Sequence, residues 1–287
     1  MSVAHPSPAS TIVLLRAATA GPPEVLLLKR HDRASWLGGA WVFPGGRVDD
    51  GDREPAWGEL ALGQRALCDA WAQADKPWLR DHAVAALREL YEETGLLLAD
   101  TLVDVQEGRA GMRAGPGRSL EERRRLLDGL TSFASLCDRR RWRIRLDRLV
   151  PFVRWITPDF ERRRFDTVFF ACEADVTPLD THDAEMSDHA WVTAADAVAR
   201  FDTGEIALAP PTLRTLEDLA PSATLASAME WVRGVPRQVI APRLVEDETG
   251  RWLVLPGDPL YPPGGPGPQA SGPTRFVFDG ERWRSSK

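Results

Sequence analysis

One nine-residue segment, residues 88–96, constrains this chain more than any other part of its sequence. It carries three glutamates, Glu89, Glu92 and Glu93, and it contains Gly95 near its end. In an α-helix, positions i, i+3 and i+4 lie on one face, so the three carboxylates are expected on the same side of a helix that stops at the glycine. Their mutual repulsion would destabilise such a helix, whereas a hard divalent cation prefers oxygen ligands of this kind. The segment therefore predicts a metal site at a helix end.

A glycine-rich loop, Pro44-Gly45-Gly46, lies upstream and follows the short apolar run 41–43. Together with Asp52 and the segment 88–96, it resembles the signature GX5EX7REUXEEXGU of the Nudix hydrolases, in which U is an aliphatic residue. The second half matches at every fixed position. Asp52 stands in place of the first glutamate, and residues 53–87 occupy a stretch where the signature has only seven residues. We interpret residues 53–80 as an insertion inside the signature.

This resemblance implies metal-dependent hydrolysis of a phosphoanhydride in a nucleoside diphosphate derivative, with Mg²⁺ or Mn²⁺ as the cofactor. It implies that Glu92 and Glu93 are the principal metal ligands and that the backbone carbonyl of Gly45 completes the metal shell. Glu89 is then either a further ligand, through water, or the general base. Arg88 is expected to pair with a carboxylate of the signature and to orient it, a role that suits its planar guanidinium.

Members of this family often take one more acidic residue from a downstream loop. Glu185, which precedes the predicted strand 190–192, is the candidate for this catalytic role, and Asp188 is the second choice. Either residue could equally be an ordinary loop carboxylate. Arg30 and Arg164 are candidates for binding substrate phosphates, although exposed arginines more often keep a surface soluble.

The sequence before the signature narrows the expected substrate. Arg30, Gly39 and the run 43–46 fit the coenzyme A motif of coenzyme A diphosphatases, whereas Ser35 stands where that motif has an arginine. The insertion inside the signature and the segment 164–170 also resemble the peroxisomal coenzyme A diphosphatase branch.

Coenzyme A or acyl-coenzyme A is therefore the expected substrate, cut to 3′,5′-ADP and (acyl-)4′-phosphopantetheine. One alternative is hydrolysis of NADH, ADP-ribose or dinucleoside polyphosphates. A second alternative, from a different class, is a non-catalytic Nudix-fold ligand sensor. Such sensors typically lose carboxylates of the signature, whereas this chain keeps all three glutamates.

Charge and cysteine content limit the partners. The net charge of −6 and the pI of about 5.5 argue against a nucleic-acid or membrane-surface partner, and no apolar run approaches the length of a membrane span. The three cysteines are widely spaced, which fits a reducing compartment. The terminal Arg-Ser-Ser-Lys differs from the peroxisomal Ser-Lys-Leu signal, so a cytoplasmic protein acting on a small molecule is expected.

The order of predicted elements indicates an α+β fold. The resemblance implies a Nudix-type α/β/α sandwich with a mixed sheet, helical insertions and a C-terminal β-rich tail. Residues 1–235 are predicted to form the hydrolase domain, with the insertion 53–80 and a helical insertion at 104–148. Residues 236–287 are predicted to form the tail, with two hairpins. The tail either covers a sheet edge or forms the contact of a homodimer, and the sequence leaves both open.

Three helices matter for the site and its surroundings. One is predicted at 59–74 within the insertion, one at 81–94 with Asp81 as its N-cap, and one at 120–136. The last is followed by the basic cluster 139–143, which is either a solvated helix face or an arm that contacts phosphates.

Overall fold

The computed structural model describes residues 4–34, 37–71, 77–101, 113–114, 120–174, 186–248, 250–262 and 272–286. In chain order its strands are β1 (Ser7–Arg16), β2 (Glu24–Arg30), β3 (Ala40–Val42), β4 (Gly45–Arg47), β5 (Ala61–Leu62), β6 (Leu96–Leu97), β7 (Ala99–Thr101), β8 (Arg113–Ala114), β9 (Trp142–Arg145), β10 (Val150–Ile156), β11 (Phe165–Glu173), β12 (Met186–Thr193), β13 (Ala207–Leu208), β14 (Gln238–Ile240), β15 (Arg243–Asp247), β16 (Gly250–Val254), β17 (Arg275–Phe278) and β18 (Trp283–Ser286).

Its α-helices are α1 (Trp57–Leu60), α2 (Gln64–Ala70), α3 (Pro77–Thr94), α4 (Leu120–Leu127), α5 (Phe133–Arg140), α6 (Ala194–Asp202), α7 (Pro210–Leu219) and α8 (Leu225–Gly234). Short 3₁₀ helices cover Asp50–Arg53 and Leu146–Arg148. No helix in the described ranges combines the length and the apolar character needed to cross a membrane.

The main sheet is mixed, in the order β13-β3-β2-β1-β11-β10-β14, with β12 paired to β2 and β4 paired to β1. β1 runs parallel to β11 and antiparallel to β2 and β4. β10 pairs antiparallel with β11, its neighbour along the chain. The parallel contact between β1 and β11 joins the beginning of the chain to its middle.

Alternation along the strands divides the apolar side chains between two cores. In β1, Ile12 and Leu14 pack into the core beneath α3, and Val13 and Leu15 pack into the core beneath α6, α7 and α8. All four side chains are fully buried. Helices therefore cover both faces of the sheet, and the expected α/β/α sandwich is confirmed.

Helix α3 begins one turn earlier than predicted, at Pro77, a residue that suits the first turn because it lacks an N–H. Asp81 is therefore not an N-cap; its carboxylate accepts hydrogen bonds from Arg80 at 2.8 and 3.1 Å. The predicted end is correct. Gly95 follows with φ of +70°, and its N–H bonds the carbonyl of Tyr91 at 2.9 Å.

The helix predicted at 59–74 is wrong, because the chain turns sharply at Gly63 between α1 and α2. Gly63 has φ of +78°, and a Cβ there would lie 2.3 Å from the Cβ of Asp147. The glycine thus permits a left-handed turn and a close approach between the insertion and the segment before β10. A helical pattern carries no sign of a tertiary contact of this kind.

The helix predicted at 120–136 is in fact two helices, α4 and α5, separated by a turn at Gly129 with φ of +68°. The basic cluster begins at the end of α5, where Arg139 and Arg140 pair with Glu122 at 3.2 and 2.6 Å. Both arginines are exposed, as expected of a solvated helix face. The cluster then passes into β9, which pairs with β5 and β7 in a small separate sheet. The predicted insertion also includes residues 104–112 and 115–119, which lie outside the described residues.

The last part of the chain forms a second sheet in the order β15-β16-β17-β18, and both predicted hairpins are present. Strand β14 instead joins the main sheet, parallel to β10. Leu253 and Phe276 of the second sheet are buried in the core beneath α6, α7 and α8. Arg214 of α7 adds a hydrogen bond to the carbonyl of Pro273 at 3.1 Å. The C-terminal sheet thus shares a core with the main one.

Replacing Phe276 should therefore destabilise the whole sandwich. Phe276 is 1% exposed, so Phe276→Ala is expected to lower the free energy of unfolding by about 3–5 kcal/mol through lost burial and the cavity left behind. This change in the free energy of unfolding would be measured by chemical denaturation, with tryptophan fluorescence and circular dichroism as the two signals. Phe278→Ala, at a half-buried position on the same strand, should cost clearly less. A separate low-stability transition confined to the C-terminal sheet would contradict the shared core.

Candidate active site

The glycine-rich loop and helix α3 meet although they are far apart in sequence. Strand β4 pairs with β1, which places Gly45 beside Thr11 and Gly46 beside Ser10. The N–H of Gly45 donates to Glu93 Oε2 at 3.0 Å. At Gly46, a Cβ would lie 2.3 Å from Glu89 Oε1, so the loop backbone forms a cradle for that carboxylate. The two halves of the interrupted signature thus form one site.

Arg88 is the hub of this site and is almost fully buried. Its guanidinium binds Asp52 through two hydrogen bonds of 2.9 and 3.0 Å, a bidentate arrangement. Its Nη1 donates to Glu89 Oε1 and to Glu92 Oε2, both at 2.9 Å. Its Nη2 also donates to the carbonyl of Arg47 at 2.8 Å. One side chain therefore joins the loop, the 3₁₀ turn after it and two of the three glutamates.

Asp52, the residue that departs from the signature, is held inside the loop. Its side chain is 1% exposed and accepts from the N–H of Asp49 at 2.8 Å, which caps the 3₁₀ turn Asp50–Arg53. Since both of its oxygens also receive the guanidinium of Arg88, Asp52 anchors that arginine. Asp52 therefore caps the 3₁₀ turn and holds Arg88 at the same time.

Burial and crowding shape the electrostatics of the glutamates. Burial raises the pKa of Glu89 to about 7, although the charge of Arg88 acts in the opposite direction. Burial likewise raises the pKa of Glu92, again opposed by Arg88. Burial tends to lower the pKa of Arg88, but the hydrogen bond with Asp52 and the neighbouring carboxylates raise it overall, so the guanidinium stays charged. The carboxylates of Asp52, Glu89 and Glu92 thus surround one permanently charged group, the guanidinium of Arg88.

The donor set suits a hard divalent cation by its chemistry. Glu89, Glu92 and Glu93 lie on one side of α3, and carboxylate oxygens are the ligands that Mg²⁺ and Mn²⁺ prefer. The cradle at Gly46 leaves room for the Glu89 carboxylate where any side chain would displace it. Within the described ranges, no three acidic, histidine or cysteine side chains converge as they would around a bound ion. In this arrangement, Glu89 and Glu92 turn toward Arg88, and Glu93 turns toward Gly45.

The four remaining predicted residues have different positions and contacts. Glu185 lies outside the described residues. Asp188 is exposed on β12, and its Oδ1 accepts from the N–H of His189 at 2.8 Å. Arg164 donates to the backbone carbonyls of Thr157 and Ala4 at 3.1 and 2.7 Å, and these contacts fix its position before β11. Arg30 lines a cavity that also includes Gly45.

Sequence reasoning missed Arg123, which lies in the helical insertion. Arg123 is 4% exposed on α4, and its Nε donates to the backbone carbonyl of Glu92 at 2.6 Å. Because α3 ends at Thr94, this carbonyl is one of the last four, which have no partner within the helix. The available signal was weak: Arg123 lies three residues before the buried Leu126, on the same face of an otherwise charged helix.

A largely apolar cavity of about 360 Å³ adjoins the glycine loop. Thr11, Arg30 and Gly45 form part of its wall. Aromatic and proline residues form most of the rest, from β10, β11, the beginning of α7 and the C-terminal sheet. A small molecule bound here would lie beside the loop that contacts Glu89 and Glu93.

Comparison with known proteins gives consistent matches. The protein-family model described as the NUDT19 Nudix domain matches residues 70–219 of this chain. The matched residues include α3 and all three glutamates. The acyl-coenzyme A diphosphatase NUDT19 of Gallus gallus is 28% identical over 278 residues, which covers 83% of this chain and 73% of the chicken protein. The Homo sapiens protein of the same name is 28% identical over 303 residues, covering 88% and 80%.

The likeness extends to three dimensions. The crystal structure of a NUDIX hydrolase from Alicyclobacillus acidocaldarius matches with a TM-score of 0.68 and 29% identity, over 80% of this chain and 97% of that one. The names of these relatives describe hydrolases, which argues against the alternative of a non-catalytic ligand sensor. The chain belongs to the Nudix family, within its NUDT19 domain type, and is a Nudix diphosphatase.

Proposed function

We propose that this enzyme cuts acyl-coenzyme A or coenzyme A to 3′,5′-ADP and (acyl-)4′-phosphopantetheine in the presence of Mg²⁺ or Mn²⁺. The main support is the meeting of Glu89 and Glu93 with the glycine loop, with Glu92 held by Arg88, beside a cavity that can take an apolar ligand. The curated relatives NUDT19 of Gallus gallus and Homo sapiens, named as acyl-coenzyme A diphosphatases, support the choice of substrate.

In this proposal, Glu92 and Glu93 are the principal metal ligands, and the Gly45 carbonyl completes the shell. A divalent ion, when bound, supplies positive charge for the diphosphate and favours deprotonation of water. Glu89 is either a further ligand, through water, or the base that takes the proton of the attacking water. Attack at one phosphorus breaks the phosphoanhydride bond, and the bridging oxygen leaves with the other phosphate.

The protein's own contribution is mainly positioning. Arg88 holds Glu89 and Glu92 through its Nη1, and Asp52 in turn holds Arg88. Because Arg88 is buried and pairs with several carboxylates, its removal would leave Asp52 without its charge partner. Arg30 places a further cation on the wall of the cavity that also includes Gly45, and it is the candidate for binding a substrate phosphate there. Glu185 stays a candidate for additional acid–base chemistry.

A substrate panel tests the proposal directly. With Mg²⁺ or Mn²⁺, mass spectrometry of the products should detect 4′-phosphopantetheine from coenzyme A and its acylated form from acyl-coenzyme A. Cleavage of ADP-ribose, NADH or dinucleoside polyphosphates without release of these products would assign the enzyme to the alternative substrate class. Glu92→Gln should reduce kcat at least about a hundredfold because one carboxylate ligand is lost. Glu121→Gln, an exposed glutamate on α4, is the matched control and should retain activity.

Gly46→Ala should impair catalysis while the fold is retained. The added methyl group would lie 2.3 Å from Glu89 Oε1, so the carboxylate must move and weaken its hydrogen bond to Arg88. We expect a loss of kcat of about ten- to a hundredfold, since small misplacements of catalytic groups are costly. The matched control is Gly51→Ala in the 3₁₀ turn that follows the loop, where the nearest atom to an added Cβ is 3.7 Å away. Equal activity of the two variants would remove the cradle from the mechanism.

Arg123 is proposed as a positioning residue for the last turn of α3. Arg123→Met keeps the apolar stem but leaves the Glu92 carbonyl without its charged donor, a loss of about 1.5–3 kcal/mol. The carboxylates of Glu92 and Glu93 should then be held less firmly, and the Mg²⁺ concentration for half-maximal activity should rise about tenfold. Calorimetric titration with Mn²⁺ should give a matching loss of affinity in the absence of substrate.

The control for this experiment lies one residue away. Arg124→Met removes an exposed arginine from the same helix and should leave metal affinity unchanged. If Arg123→Met lowers thermal stability but leaves the Mn²⁺ affinity at its original value, Arg123 is a structural residue only.

A further inference from the structure

The apolar cavity is closed on one side by the C-terminal sheet. Pro242, Leu253 and Trp283 contribute to its wall, opposite side chains of the main sheet that include Trp155 and Phe169. Pro242, Leu253, Trp155 and Phe169 are buried. The C-terminal part of the chain thus contributes directly to the space next to the catalytic loop.

The wall of this cavity has two chemically different regions. Thr11, Arg30 and Gly45 form a polar region, and the N–H of Gly45 is the group that bonds Glu93 at 3.0 Å. The rest of the wall is mainly aromatic and aliphatic. Its polar side chains are those of Thr157, Glu161, Thr167 and Thr212, and the hydroxyl of Thr157 accepts from the N–H of Phe165 at 3.0 Å. A ligand with a charged group and an apolar extension would match both regions.

The occupant of the apolar region can be argued from hydrogen bonding. A purine ring presents several donors and acceptors, and each one buried without a partner is costly. The wall, as far as the structure describes it, contains no asparagine, glutamine or histidine to meet them. A methylene chain has no such groups and gains free energy from burial alone. The lining therefore favours an acyl chain over a nucleobase.

We infer that the C-terminal sheet, through Trp283 and Leu253, forms the binding site for the acyl chain of a coenzyme A thioester and determines which chain lengths are preferred. This inference rests on the proposed function. It assigns the tail a role in substrate selection beyond its contribution to the core.

Trp283 is the residue of this wall that combines fixed contacts with a partly exposed ring. Its ring lies 5.2 Å from that of Phe278, centroid to centroid, and the guanidinium of Arg251 lies 5.9 Å from its centroid. It is only partly buried, so a ligand can cover more of the ring. Leu253, which lines the same cavity, is 4% exposed and packs in the shared core. The indole ring is thus held in position by its neighbours, and its exposed part can contact a ligand.

The test is a series of substrates with acyl chains of increasing length. For the unmodified enzyme, kcat/KM should rise from coenzyme A through hexanoyl- to octanoyl-coenzyme A, by up to about fourfold for each methylene buried. Trp283→Ala should lower the ratio of kcat/KM for octanoyl-coenzyme A to kcat/KM for coenzyme A about tenfold. Trp283→Phe keeps an apolar ring and should restore most of the preference.

The matched control is Trp252→Ala, which removes a tryptophan of the same sheet that does not line the cavity. It should leave the dependence on chain length unchanged, and thermal unfolding of all variants would report any general loss of folding. If Trp283→Ala and Trp252→Ala change the selectivity equally, the effect is one of stability and the inference is wrong.

Two other results would also overturn the inference that the C-terminal sheet binds the acyl chain, for different reasons. An equal loss toward coenzyme A and octanoyl-coenzyme A in Trp283→Ala would place a part common to both substrates, such as adenine, in the cavity. The proposed function would stand in that case. If the unmodified enzyme releases no 4′-phosphopantetheine product from any member of the series, the proposed function fails, and the acyl site fails with it.

Discussion

The structure of the site depends on one buried cation, the guanidinium of Arg88. Three glutamates near the end of one helix repel one another, and burial increases this cost because water no longer screens their charges. Arg88 offsets the repulsion by binding Glu89 and Glu92 directly and by fastening them to Asp52. It also reaches the carbonyl of Arg47, so the same group holds the loop against the helix. A lysine could not replace it, since a single ammonium group lacks the planar fork that serves all these acceptors.

Much of the site could be predicted from residue pattern alone. The spacing of the glutamates places them on one helix face, and Gly95 indicates where the helix ends. The twin glycines predict a tight loop, but only the structure reveals that a side chain at position 46 would displace the carboxylate of Glu89. Local patterns describe one element at a time, whereas the cradle is a contact between two elements distant in sequence.

The errors of prediction have the same origin. The turns at Gly63 and Gly129 interrupt segments whose apolar periodicity alone predicts continuous helices. A glycine in a helical pattern is tolerated at modest cost, so the pattern does not reveal which glycine adopts a left-handed conformation. Arg123 was missed because a buried arginine is indistinguishable by composition from its exposed neighbours. Its burial depends on a tertiary contact, the packing of α4 against the end of α3.

Strand β1 gives the catalytic loop its place in the molecule. It pairs with β4 at Gly45 and Gly46, and its alternate side chains fill the two cores on opposite faces of the sheet. A slip of one residue in its pairing with β11 would exchange these faces and bury the wrong side chains. The same slip would carry the glycines away from Glu89. The position of the catalytic loop relative to Glu89 therefore depends on how aliphatic side chains pack in the two cores, away from the loop itself.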